Sequence, residues 1–124
     1  MGIIPSNAWP KRGEIYLVNF DPAVGSEIQK TRPAIILQND LGNEYSATTI
    51  VAAITAASGG HRYPTEVGIA HGQGGLDRDS LIVLNQLRTV DKSRLIHKLG
   101  SASKSTMQAV GAALLISLGV IKIS

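Results

Sequence analysis

The unbroken apolar run Ala-Ile-Ile-Leu within Ala34 to Gln38 has no polar face. A strand of that kind fits only a position buried on both sides. Glu14 to Phe20 supplies another strand, rich in Ile, Tyr, Leu, Val and Phe and bounded by Gly13 and Asp21-Pro22. Thr48 to Thr55 gathers its β-branched residues at its two ends. Thr65 to Ile69, Ser80 to Leu84 and Gln86 to Val90 predict three more strands. Turn chemistry separates them at Asn39 to Asn43, Ser58-Gly59-Gly60 and His71 to Gly75. Short strands at this spacing predict a barrel or sandwich, not a βαβ sheet.

From Ser103 the pattern turns helical. Met107, Val110, Leu114 and Leu118 form an apolar stripe at spacings of three and four. Ser105-Thr106-Met107-Gln108 reads as a capping box and Gly119 as a stop. The stripe predicts a helix that caps the open end of a small barrel. A short helical turn is expected at Asp91-Lys92-Ser93.

At 124 residues the chain has the size of one domain, and its 44% hydrophobic content can fill one core. Twelve Lys+Arg against nine Asp+Glu give a net charge of +3, which permits a polyanionic partner without demanding one. With no cysteine, disulfides, thiolate metal sites and cysteine nucleophiles are excluded, and a reducing cytoplasm is the expected setting. Met1 to Pro10 lacks the pattern of a signal peptide. The longest apolar stretch, Ala109 to Val120, is short of the ~20 residues that span a bilayer, so no membrane association is expected. His61, His71 and His97 are spread too widely for a zinc site, and no metal or cofactor is expected. His61 and His71 fall in glycine-rich loops and read as exposed.

The segment Asp21 to Asp40 carries the strongest chemical signal. Gly25 to Thr31 is polar and predicts a long mobile connection. Pro33 forces Arg32 into an extended backbone. A guanidinium fixed at the mouth of a buried strand presents five donors in a planar fork and keeps its charge, which suits a phosphate. On its own, an arginine at a strand start is more often a solvated charge or an ion-pair partner for a group such as Glu27.

Lys11-Arg12-Gly13-Glu14-Ile15-Tyr16, Asp21 to Glu27, Thr31-Arg32-Pro33, Leu37 to Asp40 and Val51 to Thr55 form an ordered series of motifs. Asp79-Ser80, Leu84, Gln86, Arg88-Thr89 and Asp91-Lys92 continue it. In this series the chain resembles the MazF/PemK toxins of bacterial type II toxin–antitoxin systems, from about Lys11 to Leu118. The resemblance implies a mainly β, SH3-like or CcdB-like barrel of about six or seven strands with a C-terminal α-helix, assembled as a homodimer. Residues 11–124 would form that single domain, with 1–10 as an N-terminal extension.

The resemblance further implies a metal-independent, sequence-specific endoribonuclease acting on single-stranded RNA. The 2′-OH of the substrate would attack, leaving 2′,3′-cyclic phosphate and 5′-OH ends. Arg32 and Thr55 fall on the family's catalytic positions. Candidate substrate contacts are Ser26, Glu27, Lys30, Asn39, Tyr63, Ser80, Gln86 and Arg88. Glu27 is also a candidate helper in proton transfer, and Arg62 and Arg78 are further candidates for a phosphate track. Tyr45 and Tyr63 are the loop aromatics best suited to stack a base. The expected partner is a cognate antitoxin with a flexible acidic segment. The loop Ile28-Gln29-Lys30 and the segment Ala56 to Gly75 depart from the family pattern, which bears on the bases recognised. Two alternatives lack catalysis: a CcdB-like gyrase-poisoning toxin, disfavoured by a C-terminal tail without aromatics, and a barrel that binds RNA or peptide without cutting it.

Overall fold

The computed structural model describes residues 9–59 and 62–123; His61 and most of the 1–10 extension lie outside them. Six strands form one antiparallel sheet: β1 (Glu14–Asn19), β2 (Thr31–Ile36), β3 (Thr48–Ala56), β4 (Glu66–Ile69), β5 (Ser80–Asp91) and β6 (Leu95–Ser101). A short helix, α1 (Asp40–Tyr45), joins β2 to β3, and α2 (Lys104–Ser117) follows β6. The strand order is β4-β5-β3-β2-β1-β6. This is the expected mainly β fold with a C-terminal helix.

The run from Ala34 to Leu37 is buried throughout, and its side chains divide between two cores. Ile35 and Leu37 join Ile15, Ala52, Ile54, Ile82 and Leu84, with Val110 and Ala113 of α2 in the same cluster. Ala34 and Ile36 join Val18, Phe20, Val51, Ala53 and Val90, covered in part by Ile28 and Leu95. Alternation along a strand distributes the residues in this way, and two covered faces explain the lack of a polar one.

The end strands β4 and β6 do not pair with each other, so hydrogen bonding does not close the barrel. A 3-10 turn at Gln73–Gly75 fills the gap by packing against β6. Its backbone comes so close that a side chain on Gly75 would overlap the Leu99 carbonyl oxygen. Gln73 fastens the same turn to α2, its Oε1 accepting from Thr106 Oγ1 at 2.8 Å and Ser103 N at 3.3 Å.

Several local expectations are corrected. Ser80 to Leu84 and Gln86 to Val90 are two halves of the single strand β5. Ala52 pairs with Leu87 but Ala53 pairs with Val83, so the residues between them on β5 form a bulge around Asn85. Asn39 to Asn43 is not a turn: Asn39 caps α1, accepting from Gly42 N at 2.8 Å. The α2 cap is Ser103, not Ser105; its Oγ accepts from Thr106 N at 3.1 Å. Of the apolar stripe, Met107, Val110 and Leu114 pack on the core, whereas Leu118 is exposed past the last turn. Gly119, at φ +72°, ends the helix as expected. Asp91 caps the short 3-10 turn Lys92–Arg94, and the Ser93 hydrogen bonds lower its carboxyl pKa.

Asn43, the buried residue of α1, is fully enclosed. Its amide donates to Gln38 O at 2.9 Å and accepts from Thr49 Oγ1 at 2.7 Å, and its carbonyl accepts from Lys92 Nζ. Asn43→Ala strands the Gln38 carbonyl and the buried Thr49 hydroxyl, leaves the Lys92 bond to the backbone carbonyl in place, and is expected to cost about 1–3 kcal/mol of stability. Urea unfolding checks this; an unchanged midpoint would refute the assigned role.

Candidate functional site

The β1–β2 ladder sets Arg32 opposite Val18, next to Pro33 opposite Leu17. On the other side, β2 pairs with β3 through Ala34↔Ala53, Ile35↔Ala52 and Ile36↔Val51. Extended two residues beyond its last pair, Ala34↔Ala53, that antiparallel register would set Arg32 opposite Thr55. Both then share a face with Ala34 and Ala53, because side chains repeat every second residue. Thr55 in turn pairs with Leu81 of β5.

Arg32 and Thr55 line one cleft of about 290 Å³, together with Pro33, Asp77, Arg78 and Ser80. Arg32 is half-buried, and its Nε donates to Gln29 O at 3.0 Å. No ion pair ties up its guanidinium among the described residues. At the rim, Arg78 Nε lies 3.3 Å from Asp77 Oδ1, and both side chains are well exposed. Ser80 is buried and donates from Oγ to Arg78 O at 3.0 Å, which fixes the backbone carrying Arg78. The walls hold two cations, one carboxylate and the hydroxyls of Thr31, Thr55 and Ser80. That composition suits a phosphodiester: a fixed positive charge for the non-bridging oxygens and a neutral donor beside it.

Three other expected contacts gather in a separate hollow of about 140 Å³ lined by Phe20, Glu27, Ile28, Gln86, Leu87 and Arg88. Arg88 donates to the carbonyls of Phe20 and Pro22, the second at 3.3 Å, and so holds the start of the β1–β2 loop to β5. Arg94 binds the same loop through Asn19 O and Asp21 O. Glu27 Oε1 accepts from Val24 N at 2.6 Å within the loop. Glu27 thus lines this hollow and is not among the walls of the Arg32 cleft.

The remaining candidates are scattered. Lys30 shapes the loop end, with φ +68° and its N donating to Asp21 Oδ1 at 2.8 Å. Ser26 is exposed on the same loop. Asn39 caps α1 beyond the opposite end of β2 from Arg32, and Tyr45 is exposed on that helix. Tyr63 is exposed on the β3–β4 connection, its N donating to Glu66 Oε1 at 2.9 Å. His71 is exposed and its backbone N donates to Asp79 Oδ1 at 2.8 Å. Tyr16 sits away from the cleft, where burial and the adjacent Glu14 push its phenol up to about 12. Sequence reasoning missed Asp77. The available signal was the Asp77-Arg78-Asp79 charge cluster that follows the glycine-rich turn.

A sequence profile for the family described as PemK-like, MazF-like toxin of type II toxin-antitoxin system matches residues 11–118. The fold is similar to MazF from Deinococcus radiodurans, with 26% identity over 90% of this chain and 97% of that one at a TM-score of 0.77. It is also similar to a mycobacterial endoribonuclease solved in complex with its cognate antitoxin, with 22% identity over 92% and 99% of the two chains at a TM-score of 0.76. A MazE–MazF structure from Deinococcus radiodurans matches at 22% identity over 90% and 96%, with a TM-score of 0.69.

Proposed function

The chain belongs to the PemK-like, MazF-like toxin family of type II toxin–antitoxin systems, and on that premise we propose that it is an endoribonuclease that cuts single-stranded RNA without a metal. The arrival of Arg32 and Thr55 in one cleft, from adjacent strands, carries this reading.

RNA holds its own nucleophile. The 2′-oxygen attacks the adjacent phosphorus, the P–O5′ bond breaks, and the products are a 2′,3′-cyclic phosphate and a 5′-hydroxyl. The proton lost from the 2′-OH and the proton gained by O5′ balance through solvent, because arginine, with a pKa above about 12, is a poor base. Arg32 stabilises the charge that builds on the non-bridging oxygens, and the Thr55 hydroxyl donates a further hydrogen bond. Both are held by paired strands before substrate arrives, so little reorganisation opposes the transition state.

The same reading supplies partners. A mycobacterial relative was solved with its cognate antitoxin, and an acidic segment is the natural occupant of a cleft bearing Arg32 and Arg78. Leu118, Val120, Ile121 and Ile123 leave apolar surface exposed after α2, which supports assembly with a second copy of the chain.

A long single-stranded RNA incubated with the protein in excess EDTA is expected to yield discrete fragments. Thr55→Val removes the hydroxyl without changing side-chain shape and is expected to slow cleavage by about ten- to a hundredfold, less than loss of a charged donor. RNA left intact by the unmodified protein, with or without added divalent ions, would instead favour a binding module.

A further inference from the structure

Beside the catalytic cleft lies another hollow, of about 400 Å³, lined among others by Ala57, Arg62, Gly68, Asp79, Ser80 and Leu81. Ser80 is a wall of both spaces, so the two hollows adjoin at that residue. The lining is apolar apart from the shared serine and two opposite charges. One is the Arg62 guanidinium; the other is the Asp79 carboxylate, which gives one oxygen to His71 N at 2.8 Å.

Arg62 is exposed, and the missing side chain at Gly68 leaves room for its guanidinium. Its guanidinium lies against the backbone of β4 at Gly68, where an added Cβ would come within 2.6 Å of Nη2 and 2.9 Å of Cζ. Gly68 has no unusual backbone angle, so the glycine serves the close approach and not a turn. Any larger residue displaces the guanidinium while leaving the strand conformation available.

We infer that this hollow is a base-recognition subsite for a guanine next to the scissile phosphate, read by Arg62 and Asp79 and dependent on Gly68 as the positioning residue. Guanine alone among the four bases offers two adjacent acceptors, O6 and N7, to an arginine fork and two adjacent donors, N1–H and N2–H, to a carboxylate. RNA-binding proteins read such edges on unstacked single-stranded bases. The inference rests on the endoribonuclease reading above and adds to it the chemistry of one recognised position.

The test maps cut ends in a random-sequence single-stranded RNA pool for the unmodified protein and for Gly68→Ala, Arg62→Lys and Arg62→Ala. The unmodified protein is expected to enrich guanine at one position near the cut. All three variants flatten that position by about tenfold and keep the preferences at other positions. Arg62→Lys discriminates here, because it retains the charge and loses the fork. A uniform drop in cleavage with the guanine preference intact would make Arg62 a phosphate contact and overturn the inference, as would a pool with no guanine enrichment. Failure of the unmodified protein to cut any RNA would overturn the endoribonuclease reading itself.

Discussion

Replacing Arg32 with alanine is expected to lower the rate of RNA cleavage by about 10²–10³, equivalent to roughly 3–4 kcal/mol of transition-state stabilisation. On the proposed mechanism the loss appears in the rate of the chemical step in single-turnover assays more than in RNA binding, because the charge that Arg32 would meet grows only as the phosphorus becomes pentacoordinate. Arg32→Lys restores little: lysine supplies a point charge where a planar fork is required. The fold survives either change. Arg32 is half-buried, and the one hydrogen bond its side chain is seen to make is to Gln29 O, so thermal unfolding shifts only slightly. An alanine variant that cleaves at the unmodified rate would remove Arg32 from the chemistry.

Gly75→Ala makes the closest clash of any glycine-to-alanine change among the described residues. Gly75 has φ +79°, and its missing side chain leaves room for the Leu99 carbonyl of β6. Adding a methyl group forces the 3-10 turn off the end strand and opens the seam that pairing leaves between β4 and β6. A loss of about 2–4 kcal/mol is expected in urea unfolding. Activity falls as well, even at temperatures where the variant remains folded. Leu76, which follows directly, is buried in the core and, with Asp77 and Arg78, forms one wall of the cleft. Gly25→Ala is the control: its φ is +59° but nothing lies within 4 Å of the added Cβ, so it bears backbone strain of about 1–2 kcal/mol without a clash. Equal destabilisation by the two variants would mean that the seam is not under steric control.

The parts of the fold legible in the sequence are those whose local pattern agrees with their environment. The apolar run Ala34 to Leu37 announces two covered faces because both cores draw on it. Strand β6 gives no such signal, since Ile96, His97 and Lys98 are exposed on an edge strand with a partner on one side only. The α1 helix was hidden because Asn39, Asp40 and Gly42 favour turns as strongly as they favour a helix start. Strand β5 looked like two elements because a bulge and a turn place the same polar residue, Asn85, between apolar runs.

For the site, the residue types at Arg32 and Thr55 were readable from the motif series, but their juxtaposition was not. They are far apart in sequence and meet only through the β2–β3 register, which depends on tertiary pairing. The same limit explains why Glu27 looked like a neighbour of Arg32. It is close along the chain, yet the arginine anchors Arg88 and Arg94 hold the loop that carries it to another part of the sheet.

The most direct measurement uses an RNA oligonucleotide with one known cut position and a single 2′-deoxyribose on the 5′ side of that phosphate. With the nucleophile gone, the bond is expected to stay intact in EDTA, while the all-ribose control gives a 2′,3′-cyclic phosphate end identified by mass spectrometry. Cleavage at the deoxyribose position, or a control product ending in a 3′-hydroxyl, would show that water and not the substrate's own hydroxyl attacks, and would contradict the role given to Arg32 and Thr55.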